Sequence, residues 1–165
     1  MMTEKNEKQE KSDEKYNELS KKYALPDSLK LSEDFDIEKV LQKSAKSKFL
    51  LRDIRKTMND KLTSYLHLFE TLANPSSAPI FIFSILKNIG EDDKKKVKEM
   101  YDLLAKVQIE VLKLDTVYSE EKEAEFIKKT YILWEKIKNN IFSLIETLEK
   151  GFDASITSVK RGYVG

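Results

Sequence analysis

Residues 97–148 decide the fold, and they read VKEMYDLLAKVQIEVLKLDTVYSEEKEAEFIKKTYILWEKIKNNIFSLIETL. Along this stretch a seam of mostly apolar residues recurs at alternating steps of three and four, which is the spacing of one face of an α-helix. The seam comprises Val97, Met100, Leu104, Val107, Val111, Leu114 and Tyr118, and then Ile127, Thr130, Trp134, Ile137, Ile141, Leu144 and Leu148. Ser119, between the two halves, is a favoured helix N-cap. We therefore predict a long antiparallel helical hairpin over about residues 93–150, with one continuous rod as the alternative.

A second long pattern precedes the hairpin. Apolar residues recur at helical spacing over about residues 36–72, and Asp34 or Asp36 can cap the start of this segment. The pattern predicts one long helix. It thins between Ser44 and Lys48, so we expect a bend or a break there.

Proline and glycine mark the ends of the remaining elements. Pro79 opens a short apolar segment that Gly90 can close as a left-handed C-terminal cap, which predicts a short buried helix over about residues 79–89. Its β-branched and aromatic residues also suit a strand, but a lone strand has no partner elsewhere in this chain. By the same reasoning, Gly151 is expected to end the second helix of the hairpin.

The chain divides by composition into a central domain and two tails. Residues 1–33 are mostly polar and are expected to form a flexible N-terminal tail with a short helix over 13–24. Residues 34–152 form the predicted helical bundle domain, and residues 153–165 a C-terminal tail. Glycine and proline are too scarce for a many-stranded fold. The predicted fold class is an all-α helical bundle.

The residue types that carry most enzyme chemistry are missing or isolated. The chain has no cysteine, which excludes disulfides, thiolate metal sites and cysteine nucleophiles. His67, the one histidine, precedes Glu70 by one helical turn, the reverse of the Glu-x-x-His order of di-iron bundles. No Gly-rich phosphate loop or G-x-S-x-G turn occurs. We predict no catalytic residue, no metal and no cofactor, and a protein that is not an enzyme.

Hydropathy predicts a protein without a membrane span. The longest apolar run extends from Ile80 to Leu86 with one serine in it, far below the roughly 20 residues that cross a bilayer. The first residues contain no apolar stretch of signal-peptide length. We therefore expect a soluble, cytoplasmic protein.

Basic residues are concentrated in one part of the chain. Residues 43–61 contain seven bases and two acids, a net charge of +5 within a chain whose formal net charge is +1. At helical spacing four of these bases share one face, which we call the basic ridge: Lys48, Arg52, Arg55 and Lys56. The ridge could bind a phosphate backbone, an acidic partner protein or an anionic membrane surface. Alternatively, its bases pair internally with acids of neighbouring helices, such as Glu99, Asp102 and Glu110.

The hairpin carries more apolar residues than its seam needs. The predicted self-association face comprises Leu103, Leu112, Leu133 and Phe142. A helical face left apolar in this way indicates a homodimer interface, unless the short helices cover it.

Three functions remain open on these observations, and no motif singles one out. The first is a non-catalytic helical scaffold or adaptor that acts through protein contacts and self-association. The second is a small nucleic-acid-binding or ribonucleoprotein subunit that uses the basic ridge. The third is a small-ligand binder or enzyme with a pocket near His67 and Tyr65.

Overall fold

The computed structural model describes residues 14–44 and 47–162, and these residues form helices with no strand among them. The elements are α1 (14–23), α2 (Ser28–Phe35), α3 (Glu38–Ser44), α4 (Leu50–Ala73), a 3-10 turn (Pro75–Ser77), α5 (Ile80–Leu86), α6 (Glu91–Thr116) and α7 (Glu120–Gly162). The long helices α4, α6 and α7 pack as a helical bundle. The predicted all-α fold class is confirmed.

The hairpin is formed by α6 and α7, which are joined by residues 117–119. Ser119 caps α7 as predicted, because its Oγ accepts a hydrogen bond from the Lys122 amide at 3.4 Å. Three glutamates follow in the first turn of α7, where the helix dipole favours negative charge. The seam residues are buried, except for the half-buried Tyr118 and Leu148. Local spacing alone therefore identified the buried face of both helices.

The predicted end of the hairpin at Gly151 is wrong, since α7 continues to Gly162. Gly151 is buried inside the helix, and a Cβ atom at this position would lie 3.4 Å from the carbonyl oxygen of Ile85. The Asn88 side chain also donates a hydrogen bond to the Gly151 carbonyl at 3.2 Å. Gly151 therefore lies inside α7, packed against the end of α5, and it does not form a left-handed cap.

The left-handed cap predicted at Gly90 is also wrong. No glycine of the described ranges has a positive φ, and α5 already ends at Leu86 with a right-handed Lys87 as its cap. The left-handed residues are Ala24 and Asp36. Asp36 ends α2 with φ 53°, and its amide donates to the Ser32 carbonyl at 2.9 Å. It therefore closes one helix and does not cap the next.

The long helix predicted over 36–72 is divided into α3 and α4, close to the place where its pattern thins. Beside the break, Ser47 Oγ accepts a hydrogen bond from the Phe49 amide at 3.0 Å. Serine side chains that bond nearby amides in this way compete with helical hydrogen bonds. Across the break, Ser44 Oγ donates to Asp53 of α4 at 2.7 Å.

The short segment after Pro79 is a helix, as predicted, but it is buried on one side only. Ile82 and Ile85 of α5 face the core. Ile80, Phe81 and Phe83 are 86%, 52% and 42% exposed. This one-sided burial leaves the aromatic side chains of Phe81 and Phe83 on the surface.

The N-terminal region is more structured than its composition suggests. The predicted helix over 13–24 is observed at 14–23. The second helix, α2, was not predicted. Asp27 caps α2 by accepting hydrogen bonds from two backbone amides. The buried Tyr16 hydroxyl donates to the Pro26 carbonyl at 2.6 Å, and burial raises the pKa of Tyr16. Residues 1–13 of the predicted tail lie outside the described residues.

The chain folds as two compact units, each built from two separate segments. The first unit draws on Met1–Leu62 and Val107–Trp134, and its core includes the Phe35 and Trp134 rings, whose centroids are 5.4 Å apart. The second unit draws on Thr63–Lys106 and Glu135–Gly165. The core of the second unit includes Phe69, Ile82, Ile85, Val97, Met100, Ile137, Ile141 and Leu144.

Candidate functional site

The basic ridge does not form one surface. Lys48 and Lys56 are exposed, the side chain of Arg52 is 25% exposed, and that of Arg55 is 1% exposed. Helical spacing correctly put Arg52, Arg55 and Lys56 on one helix, α4, but Lys48 lies in the turn before α4. Arg55 points into the first unit. The prediction that all four bases present themselves to a partner is therefore wrong for Arg55.

Arg55 is held by two carboxylates from the helices of the hairpin. Its Nε donates to Glu123 of α7 at 2.6 Å, and its Nη2 donates to Asp115 of α6 at 2.7 Å. The Glu123 side chain is completely buried, whereas that of Asp115 is half exposed. Burial by itself would lower the pKa of Arg55, but the two carboxylates raise it above its ordinary value. Arg55 thus connects α4 to both helices beside their connection.

Arg52 lies next to this network and is enclosed by aromatic rings. Its guanidinium carbon lies 4.6 Å from the ring centroid of Tyr118 and 5.2 Å from that of Phe49. Its Nε is 3.6 Å from Oε1 of Glu123. The two rings meet edge to face at 4.8 Å, and the Tyr118 hydroxyl donates to the Lys48 carbonyl at 3.0 Å. Both arginines are therefore engaged within the first unit.

Arg52 and Arg55 pair internally with acids of neighbouring helices, which was the alternative prediction for the basic ridge, although the acids differ from those predicted. The partners are Asp115 and Glu123, and the predicted Asp102 instead lies 3.6 Å from Lys98 on its own helix. Spacing along α4 cannot indicate which acids of α6 and α7 face it.

His67 is on the surface, with its side chain 70% exposed and its Nδ1 3.6 Å from Glu70. Within residues 14–44 and 47–162, no three histidine, aspartate or glutamate side chains come together in a way that could hold a metal ion. Four pockets among the described residues have linings that include neither His67 nor Tyr65. A pocket next to His67, as the third hypothesis requires, is not among them.

The residues of the predicted self-association face differ in exposure. Leu112 and Phe142 are 59% and 64% exposed, whereas Leu103 and Leu133 are half-buried. Leu112 belongs to the first unit and Phe142 to the second.

An apolar groove in the second unit was not predicted from the sequence. Its volume is about 600 Å³, and we define it by its apolar lining residues, which are Phe81, Ile85, Ile145, Leu148 and Phe152. Phe81 is 52% exposed, Phe152 is 40% exposed and Ile145 is 37% exposed. The groove thus offers aromatic and aliphatic surface from α5 and α7 to the solvent.

The apolar surface continues along α7 beyond the groove. Phe142 precedes the groove and Ile156 follows it, and they are 64% and 42% exposed. At about 100° per residue, Phe142, Ile145, Phe152 and Ile156 all lie within about 80° of one another around α7. This apolar stripe is roughly 21 Å long at the helical rise of about 1.5 Å per residue. The spacing was visible in the sequence, but the assumed helix end at Gly151 concealed it.

Acidic side chains lie at one edge of the apolar stripe, with Glu149 just inside its angular range and Glu146 and Asp153 just outside it. Glu146, Glu149 and Asp153 are exposed, and Glu149 contacts the groove. Their spacing of three and four residues makes them neighbours on one side of α7, and we call them the acidic ridge. Lys150 lies on the far side of Glu146 from the stripe. The groove therefore combines an apolar floor with a negative flank.

Comparisons of the chain with protein-family models, curated proteins and solved structures find no match. Among the described helices, none has both the length and the apolar character that crossing a bilayer requires. What the molecule does has to be argued from its own surface.

Proposed function

We propose that this protein is a non-catalytic helical interaction module that binds an amphipathic helix of a partner protein, one with basic side chains beside its apolar face. The apolar groove and the acidic ridge carry this proposal. A partner helix would lay its apolar face into the groove and extend along the stripe on α7. Its basic residues would then lie opposite Glu146, Glu149 and Asp153.

The apolar groove is a suitable place for such contacts for two reasons. First, its aromatic side chains stand on helices, so little conformational entropy is lost when they are covered. Second, exposed apolar surface concentrated beside charged residues is typical of protein interaction sites. Aromatic residues are also enriched among the residues that contribute most to binding.

The acidic ridge would determine which partner helices bind in the groove. Opposite charges across an interface speed association and favour the correct partner, and like charges exclude others. A helix with acids beside its apolar face would meet the ridge unfavourably. We therefore expect charge to separate partners from non-partners more than hydrophobicity does.

Binding to two designed peptides of equal length and apolar content tests the proposal. One amphipathic helical peptide carries lysine beside its apolar face, and the other carries glutamate there. Fluorescence anisotropy of the labelled peptides should show that the lysine peptide binds and the glutamate peptide does not. Phe152→Glu should weaken binding by about tenfold or more, as loss of a central aromatic contact does.

Ile132→Glu provides the matched control, because Ile132 is 55% exposed on α7 outside the apolar stripe. It should leave peptide binding unchanged. Glu146→Lys combined with Glu149→Lys should reverse the preference between the peptides. Equal binding of both peptides, or an equal loss of peptide binding in Phe152→Glu and Ile132→Glu, would contradict the proposal.

Nucleic-acid binding remains the alternative proposal, now resting on Lys48 and Lys56. The engagement of Arg52 and Arg55 within the first unit favours protein binding over it. Lys48→Glu combined with Lys56→Glu tests the alternative by anisotropy of labelled single-stranded and duplex nucleic acid. Binding that falls steeply with salt and is lost in this variant would support it.

A further inference from the structure

A second cavity lies in the same unit, on the other side of α5 from the apolar groove. Its volume is about 520 Å³, within the range of roughly 300 to 1,000 Å³ that is typical of small-molecule sites. Leu72 of α4, Phe83 and Leu86 of α5, and Val97 of α6 contribute its apolar walls. Leu72 and Val97 are buried, so the cavity reaches the core of the unit.

Every charged residue that lines this cavity is a lysine. Lys87 follows α5, and Lys94 and Lys98 stand one turn apart on α6. No aspartate or glutamate is among the described lining residues. An apolar cavity whose charged lining residues are all lysines is complementary to a molecule with an apolar body and a negative head.

Two of these lysines also contact acids, but in exposed pairs. Lys94 Nζ is 2.8 Å from Glu91, and Lys98 Nζ is 3.6 Å from Asp102. All four side chains are between 45% and 88% exposed. Such surface pairs contribute little to stability because water competes for both partners. The ammonium groups can therefore turn to a bound anion at small cost.

We propose that this cavity binds a free alkyl carboxylate of the fatty-acid class, with the alkyl chain against Leu72, Phe83 and Leu86 and the carboxylate at Lys94 and Lys98. Transfer of the alkyl group from water into the apolar cavity favours binding, and the carboxylate accepts charge-assisted hydrogen bonds from the lysines. The inference does not depend on the proposed function, because different residues line the cavity and the groove.

Isothermal titration calorimetry of the full chain with decanoate, below its micellar concentration, tests the proposal. One decanoate should bind per chain. Decanol and decyltrimethylammonium have the same alkyl group as decanoate but lack its negative head, and they should bind much more weakly. Lys94→Gln combined with Lys98→Gln should weaken decanoate binding about tenfold, because it removes charge-assisted hydrogen bonds.

Lys95→Gln combined with Lys96→Gln removes the same charge from the same helix without touching the cavity lining, and it should leave decanoate binding unchanged. Ala73→Phe, at an exposed position that lines the cavity, should obstruct the alkyl chain and reduce binding. Phe152→Glu, which alters only the groove, should have no effect on decanoate. The proposal is overturned if decanoate does not bind, if decanol binds equally well, or if both lysine pairs weaken binding alike.

Discussion

Arg55 and Lys56 are neighbours in the chain, yet the first side chain is buried and the second is exposed. Moving an arginine out of water is costly, and the two carboxylates at 2.6 and 2.7 Å offset that cost. A buried ion pair of this kind is weak evidence for net stability, but breaking it leaves a charge without a partner. The role of Arg55 is therefore to join α4 to α6 and α7.

Replacing Arg55 tests this role directly. Arg55→Ala leaves the fully buried Glu123 carboxylate without its nearest cation, so the free energy of unfolding should fall by about 3 to 5 kcal/mol. Urea denaturation followed by circular dichroism measures the change. Lys56→Ala, at the adjacent exposed position, should change it by less than about 0.5 kcal/mol. A small effect of Arg55→Ala would mean that water reaches Glu123.

Gly151 offers a second prediction at the scale of one residue. Because its backbone is helical and a Cβ atom would have ordinary contact distances, Gly151→Ala should raise the free energy of unfolding by about 0.5 to 1 kcal/mol. Gly151→Leu should lower it, since the larger side chain meets Ile85 and Asn88. Thermal unfolding of the two variants separates the effects. Destabilisation by alanine would show that α7 and the end of α5 cannot separate by even a few tenths of an ångström.

Among the elements, α1 is attached to the first turn of α7 by a charged contact. The Tyr23 hydroxyl donates to Glu120 at 2.9 Å, and Lys22 Nζ lies 3.1 Å from the same oxygen. Burial by itself would raise the pKa of Glu120, but the hydrogen bonds from Tyr23 and Lys22 outweigh it and lower the pKa from 4.5. The ionised form of Glu120 is therefore the one that the folded chain favours.

The sign of this shift predicts how stability changes with pH. A carboxylate with a lowered folded-state pKa stabilises the fold above its unfolded-state pKa, and the stabilisation is lost as the pH falls through the folded-state pKa. Between about pH 6 and about pH 3, the wild-type chain should lose more free energy of unfolding than Glu120→Gln. Urea denaturation at these two pH values measures the difference. Glu121→Gln, at the next exposed carboxylate, should follow the wild type; identical losses in all three chains would contradict the prediction.

For the whole molecule, self-association stays a prediction. Leu112 is 59% exposed on α6, as a dimer contact requires, although Leu103 and Leu133 are partly covered. Light scattering behind gel filtration should give a mass above that of one chain at tens of micromolar. Leu112→Lys should return the mass to one chain, because a buried lysine without a partner opposes association.

Leu29→Lys is the control for this experiment, since Leu29 is 72% exposed on α2 and is not part of the predicted face. It should leave the mass unchanged. A wild-type mass of one chain at the highest concentration would refute self-association, while the proposed binding of a basic helix in the groove would be unaffected.

The helices and their buried faces were predictable because each follows from local spacing. A residue three or four positions from another lies on the same face wherever the helix is, so the seams of α6 and α7 were readable without any knowledge of their neighbours. The break between α3 and α4 was visible for the same reason, as a thinning of the apolar pattern. The short α2 was missed because its sequence, SLKLSEDF, is mostly polar.

Contacts between distant parts of the chain were not predictable in this way. Glycine is common at helix ends, but Gly151 lies inside α7, packed against Ile85 and Asn88 of a distant part of the chain. Helical spacing put Arg55 on the same face as Arg52 and Lys56. Burial of Arg55 depends on the carboxylates of Asp115 and Glu123, which are at least 60 residues away in the chain and offset the cost of removing the arginine from water. The apolar groove likewise needs α5 and α7 together. Periodicity records which face of a helix avoids water, whereas the identity of the group that covers or pairs with it depends on the packing of the helices.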